Sequence, residues 1–139
     1  MAQTVADVMT RNPATVERTE TTAEAARRMA AHDAGDVVVL DNGTACGIVT
    51  DRDIAIRLVA QEREPSTPVS EIVSDTDLLT VSPDTPLDQA IKLIRAKSVR
   101  RLPVVQAGRV VGILSLGDLA IERDPGSALA DVSAAEGNT

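Results

Sequence analysis

Apolar positions along this chain fall into two periods. Ala25, Ala26, Met29 and Ala30 recur at helical spacing, as do Leu87, Ala90, Ile91 and Ile94, and each set marks one face of a helix that packs on a core. The first set predicts a helix beginning at Thr21 or Thr22 and running through His32. In the second, Thr85 precedes Pro86, which suits the first helical position. Leu87, Ile91 and Ile94 are expected to be buried together with Ala26 and Met29.

After each helix come two short aliphatic runs. Val37-Val38-Val39-Leu40 and Ala45 to Val49 are joined through Asp41-Asn42-Gly43, where Asn-Gly signals a tight turn. Leu102 to Val105, Gln106-Ala107-Gly108 and Val110 to Leu114 repeat that layout. Runs without polar alternation predict strands covered on both faces. Pro103 cannot donate to a ladder, so its strand is expected at an edge or unpaired there. Ahead of the first helix lie a short helical segment, Val5 to Met9, a turn at Asn12-Pro13 and an extended Ala14-Thr15-Val16.

The chain is a tandem repeat of about 60 residues. An offset of 65 carries Asp53 to Asp118, Gly47 to Gly112, Gly43 to Gly108, Ala25 to Ala90 and Thr15 to Thr80. One residue is gained just before Thr80, because Val5-Ala6-Asp7-Val8 falls on Val69-Ser70-Glu71-Ile72 at an offset of 64. The expected organisation is repeat one over residues 1–63, a Pro/Ser/Thr linker over 64–68, repeat two over 69–123 and a flexible tail over 124–139. Each repeat reads as β-α-β-β-α, and the fold class as mixed α/β (α+β) with the two repeats packed about a pseudo-twofold axis.

The most specific feature is a duplicated heptapeptide, Gly47-Ile48-Val49-Thr50-Asp51-Arg52-Asp53 and Gly112-Ile113-Leu114-Ser115-Leu116-Gly117-Asp118. Each copy reads as a strand ending in the first turn of a helix. Thr50/Asp53 and Ser115/Asp118 have the spacing of a capping box, in which hydroxyl and acid satisfy the first free amides. The acid is the shorter Asp rather than Glu; an Asp there can point away from the backbone, and a capping residue can also touch a ligand. Hydroxyl, amides and carboxylate would then face one pocket at a helix N-terminus, the first two suited to a phosphate and the acid to a sugar diol.

Composition narrows the chemistry. The formal charge of -7 opposes nucleic acid or an anionic membrane surface as partner, and without Phe, Tyr or Trp no base can stack on an aromatic platform. One His and one Cys cannot build a Cys/His zinc cluster, and no Ser/His/Asp set exists, so no catalytic role is expected. Cys46, in an apolar run, is expected in the core, and His32 near a helix end is expected to be solvated. No apolar run approaches a membrane span and the N-terminus lacks a signal peptide's pattern, which points to the cytoplasm.

Between Val5 and Ile121 these features resemble the CBS-domain pair, or Bateman module: the long repeat, its element order, Gly-h-h-Thr/Ser-x-x-Asp closing each copy, and Val99-Arg100-Arg101-Leu102-Pro103-Val104-Val105 with basic residues before h-Pro-h-h. The chain is also similar to the stand-alone, stress-associated bacterial members. The resemblance implies a regulatory module that binds AMP, ADP, ATP or S-adenosylmethionine in clefts shared by the two repeats, and a homodimer formed through helices bearing Ala55-Ile56 and Ala120-Ile121. Its downstream protein partner is unknown.

Carried over to this chain, the resemblance assigns Asp53 and Asp118 to ribose hydroxyls, Thr50 and Ser115 to phosphate, and the backbone of Thr15 and Thr80 to the adenine edge. Arg100 and Arg101 would face the phosphate, and Val99, Leu102 and Pro103 around them are further candidates for the ligand site. Repeat one departs from the pattern, with Gly35 and Asp36 after Ala34 where repeat two has the two arginines. A phosphorylated ligand is therefore expected at Arg101, Ser115 and Asp118 first, its adenine near Thr15 and Ala34. The alternative is a protein-interaction or structural module whose Ser/Thr-x-x-Asp motifs are helix caps only.

Overall fold

The computed structural model describes residues 3–73 and 78–123, with side chains through Leu119. The fold is mixed α/β and divides into two compact units, one formed by Met1–Pro13 with Leu79–Thr139 and the other by Ala14–Leu78. We call them unit 1 and unit 2. The tail over 124–139, expected to be flexible, lies outside the described residues.

Unit 2 holds β2 (Thr15–Glu17), α1 (Thr22–His32), β3 (Asp36–Asp41), β4 (Thr44–Thr50) and α2 (Asp51–Asp53), which continues into a π-helical segment, Ile54–Val59. Its sheet has the order β2-β3-β4, β2 parallel and β4 antiparallel to the central strand. Thr21 caps α1 by accepting the Glu24 amide at 3.1 Å. The proposed linker is ordered against this helix start, with Thr22 N–H donating to the Thr67 carbonyl and Ala23 N–H to that of Pro65.

Unit 1 holds β1 (Thr10–Arg11), α3 (Leu87–Lys97), β5 (Arg101–Gln106), β6 (Arg109–Ser115) and α4 (Leu116–Arg123), with sheet order β1-β6-β5. Pro86 is the N-cap of α3 rather than its first residue. The strand expected before α3 shrinks to one parallel bridge, Val81 with Val104. In unit 2 the Val38 amide donates to Ala14. The residue equivalent to Val38 is Pro103, which has no N–H, so that rung is lost. Pro103 thus lies on an edge strand, as its chemistry requires.

Burial follows the apolar pattern with two corrections. Val37, Val38 and Val39 are all buried, as are Leu102, Pro103 and Val104. In α3, Leu87, Ala90 and Ile94 are buried and Ile91 half-buried; in α1 the inward stripe is Thr22, Ala25 and Met29, and Ala26 faces solvent. Ala26 lies at the edge of a stripe spaced by three and four, which a run of alanines does not define. Cys46 is exposed rather than core. The β3–β4 register jumps from Val39↔Gly47 to Leu40↔Ala45, so Cys46 is the extra residue of a β-bulge and turns outward. Burial of a Val or Leu side chain contributes about 1.5–3 kcal/mol, and each unit carries its own cluster of such residues.

Each sequence repeat lends its opening segment to the other repeat's unit. The short 3-10 turn Val5–Asp7 belongs to unit 1, where Val5 N–H donates to Thr85 O, Ala6 N–H to Pro83 O, and Gln3 O accepts from Leu87. The equivalent turn Val69–Glu71 belongs to unit 2 and makes the same three bonds, to Glu20, to Arg18 and from Thr22 through Thr67. The heptapeptide glycines admit these segments. A Cβ on Gly47 would lie 2.6 Å from Val73 Cγ2, and one on Gly112 would lie 2.6 Å from Met9 Sδ and 2.9 Å from the Thr10 carbonyl.

Candidate functional site

The two heptapeptides end on the same backbone geometry. In unit 2, Asp36 pairs with Thr50 across β3 and β4, and Gly35 O accepts the Asp51 amide at 3.0 Å. In unit 1, Arg101 pairs with Ser115, and Arg100 O accepts the Leu116 amide at 2.9 Å. Residues 34–36 are thereby brought beside Thr50 and Asp53, and residues 99–101 beside Ser115 and Asp118.

Both motifs are complete capping boxes. Thr50 Oγ1 accepts from Asp53 N–H at 3.1 Å while Asp53 Oδ2 accepts from Thr50 N–H at 2.9 Å. Ser115 Oγ and Asp118 Oδ2 do the same at 3.1 and 2.9 Å. This bears out the capping-box reading of both motifs, and neither acid points away from the backbone. The extended N-cap residue brings its own amide near enough for the shorter acid. One carboxylate oxygen, Oδ1, remains outside each box.

Around that shared frame the chemistry diverges. Asp53 Oδ1 lies 3.8 Å from Arg57 Nε. Asp118 Oδ1 instead faces the Thr10 hydroxyl at 3.4 Å. Burial pushes the Asp118 carboxyl above the ordinary Asp value, and the bonds from Ser115 and Thr10 offset this only in part. Asp51 Oδ1 accepts the Arg52 amide at 2.8 Å, and its Oδ2 would lie 3.2 Å from a Cβ on Gly35. The acid therefore lies over the first turn of α2 in space that Gly35 leaves open. Leu116 stands at the equivalent place in unit 1 and has no acceptor to offer the Gly117 amide.

The remaining candidates have mixed settings. Thr15 is half-buried in β2, and its carbonyl already accepts from Arg28 Nη1 at 2.8 Å, a guanidinium held by Glu20 at 2.7 Å. Thr80 is exposed and precedes the Val81 bridge. Ala34 and Val99 are half-buried, Arg100 is exposed and Arg101 half-buried. Leu102 is fully buried, and Pro103 is buried with its carbonyl accepting from Val81. Sequence reasoning missed Thr10, Asp51 and Arg28. Asp51 was legible as a second acid in the first helical turn, whereas Thr10 reaches Asp118 across a separation of 108 residues.

Among the described residues no group of three or more His, Cys, Asp or Glu is placed to hold a metal ion, and no helix is long and apolar enough to cross a membrane. The model of the CBS domain matches this chain twice, over residues 5–60 and 69–123. The CBS domain-containing protein YhcV of Bacillus subtilis is 43% identical over 133 residues, which cover 93% of this chain and 94% of the relative. A CBS domain protein from Pyrobaculum aerophilum, solved in complex with AMP, superposes with a TM-score of 0.76 at 29% identity over 92% of this chain and 98% of that one. A hexameric CBS-CP12 protein from bloom-forming cyanobacteria superposes with a TM-score of 0.75 at 27% identity, covering 89% and 72%. A duplicated motif at constant offset, two units with matching hydrogen bonds and two family matches lead to one conclusion: the chain belongs to the CBS-domain family, as a pair of CBS repeats with a regulatory role.

Proposed function

We propose that this regulatory module binds an adenosine nucleotide, AMP, ADP or ATP, and that the Ser115–Asp118 turn of unit 1 holds its ribose and phosphate. The observation that carries the reading is the difference at the first helical turn. In unit 2 the Asp51 carboxylate already takes the Arg52 amide of the first turn, where an anion would otherwise bind. In unit 1 the equivalent residue is Leu116, Arg100 stands just before β5, and Arg101 is the first residue of β5, opposite Ser115. The capping box and Arg100 O take the amides of Ser115, Leu116 and Asp118, so the Gly117 amide at the helix N-terminus, together with guanidinium groups, would meet a phosphate, and Asp118 Oδ1 suits a ribose hydroxyl. The AMP-bound relative from Pyrobaculum aerophilum supports this choice of ligand.

The test is calorimetric titration of the full chain with AMP, ATP and S-adenosylmethionine. Binding of AMP that is lost in Asp118→Ala is the expected result. A purified protein free of bound nucleotide that takes up none of the three would favour the second reading, in which the capping boxes serve the fold alone.

We further propose a homodimer. Ile56 is 44% and Val59 65% exposed on the π-helical segment, and Ala55 beside them is also exposed. An apolar face of this kind is ordinarily covered by a partner. The side chains of Ala120 and Ile121 lie outside the described residues. Light scattering should report twice the chain mass, and Val59→Glu should reduce it to one.

A further inference from the structure

One group at the Asp118 site comes from the far end of the chain and has no place in the reading above. Thr10 sits on β1, which pairs antiparallel with β6 in the register Thr10↔Ile113 and Arg11↔Gly112. Its position follows from Gly112. Any Cβ there would press on Met9 Sδ and on the Thr10 carbonyl itself, so the glycine lets β1 lie close to the strand that leads into the Ser115–Asp118 turn. The buried Val5 and Met9 anchor the same segment in the unit 1 core.

The Thr10 hydroxyl lies 3.4 Å from Asp118 Oδ1, the oxygen the capping box leaves over. Both residues are half-buried rather than sealed. A threonine hydroxyl donates one hydrogen and keeps two lone pairs, while a carboxylate offers about four acceptor positions. Donating to Oδ1 therefore fixes the carboxylate and leaves both groups able to accept. Two acceptors side by side match two adjacent hydroxyls, whereas one carboxylate oxygen alone matches one.

We propose that Thr10 is a ligand-binding residue of the Asp118 site, accepting from one hydroxyl of a vicinal diol while Asp118 accepts from the other, so that the site selects ribose over deoxyribose. This rests on the nucleotide reading above. It makes the opening strand of repeat one part of the sugar site of repeat two, and gives the first glycine of the heptapeptide a role in recognition.

Two measurements on the full chain test it. In calorimetry with AMP and 2′-deoxy-AMP, Thr10→Val should weaken AMP about tenfold, the loss of one hydrogen bond to a charged pair, and should shrink the preference for AMP over the deoxy form. Thr10→Ser, which keeps the hydroxyl, should restore both. In carbon-detected NMR without ligand, Thr10→Val should move the Asp118 carboxyl titration to higher pH, because a donor to the ionised form is lost. If Thr10→Val binds and discriminates as the wild type does, the inference fails and the nucleotide reading stands. If wild type binds AMP, ATP and S-adenosylmethionine not at all, both fail. If the Asp118 titration is the same in wild type and Thr10→Val, Thr10 does not hold the carboxylate and the inference falls whatever binds.

Discussion

The two heptapeptide turns have the same hydrogen bonds and opposite electrostatic settings. Asp53 and Asp118 cap their helices at matching distances, and the residues before β3 and β5 tether the same amide. Yet unit 2 lays the Asp51 carboxylate over its turn and sets Arg57 against the capping acid, while unit 1 has Arg100 and Arg101 in the residues beside its turn and the Thr10 hydroxyl against its capping acid. Duplication preserved the frame because the frame is what folds the turn. The side chains facing outward carry no such constraint and were free to diverge. The comparison separates what the motif does for stability from what it does for a ligand.

The largest effect expected is at the basic rim. An acid about 4 Å from a phosphate costs up to ~4 kcal/mol at an effective dielectric near 20, so Arg101→Asp should weaken AMP at least a hundredfold. Arg101 is half-buried, so the exposed Arg100→Asp, with its thermal midpoint measured alongside, keeps the comparison readable. An unchanged AMP affinity in Arg100→Asp and Arg101→Asp, together with its loss in Asp53→Ala, would assign the phosphate to the wrong unit.

The converse change should build what unit 2 lacks. Gly35→Arg with Asp51→Leu copies the unit 1 residues onto the unit 2 turn, removing the carboxylate from the first helical turn and adding a guanidinium beside it. Calorimetry should then report a second AMP site, at least tenfold stronger than any residual binding there. Stoichiometry unchanged from wild type would show that Asp51 is not what excludes the anion.

Much of this was legible in the sequence and some could not have been. The strands and helices fell where aliphatic runs, Asn42-Gly43 and Thr21 place them, because short-range chemistry decides those features. The exchange of opening segments was hidden. Val5 and Val69 look alike and each has two equivalent docking places, so periodicity cannot say which copy receives which turn. Only the change of offset from 65 to 64 marks the region where the chain passes between units. The outward turn of Cys46 depends on backbone detail that residue types do not encode, whereas the capping boxes of Asp53 and Asp118 were legible from their spacing.

The glycines should separate the units by stability. Gly112→Ala presses a methyl against a backbone carbonyl at 2.9 Å, whereas Gly47→Ala meets the Val73 side chain, which can rotate. Overpacking of this kind typically costs about 1–3 kcal/mol. Gly112→Ala should fall at the upper end and Gly47→Ala at the lower, read from urea midpoints. Equal losses would mean that β1 yields as easily as a valine side chain.

Acid should act on unit 2 through a group that unit 1 lacks. The Glu17 amide, and then Arg28, hold the Glu20 carboxyl below the ordinary Glu value of 4.5 despite partial burial. A lowered pKa contributes stability that is present above the ordinary value and lost as pH falls through the folded one. The unit 1 equivalents of Glu20 and Arg28 are Thr85 and Leu93. Hydrogen exchange followed below pH 4.5 should therefore show amides of α1 and β2 losing protection before those of α3, and Glu20→Gln should flatten that difference. An unchanged acid loss of α1 and β2 protection in Glu20→Gln would rule the Glu20–Arg28 pair out as its source.

The smallest effect concerns the hairpin turns. Asn42 and Gly43 adopt φ of 51° and 86°, and Ala107 and Gly108 adopt 53° and 79°, the left-handed pair that a two-residue turn between twisted strands requires. Asn tolerates that region because its short polar side chain bonds locally, but for Ala it costs roughly 1 kcal/mol. The strain sits in the repeat whose sheet has already lost a rung at Pro103. Ala107→Asn copies the unit 2 turn into unit 1, and by relieving the strain should stabilise the protein by about 0.5–1 kcal/mol, seen as a higher urea midpoint with an unchanged slope. The reciprocal Asn42→Ala should lose a similar amount. If neither moves the midpoint, the turn residues follow the strands and do not set their register.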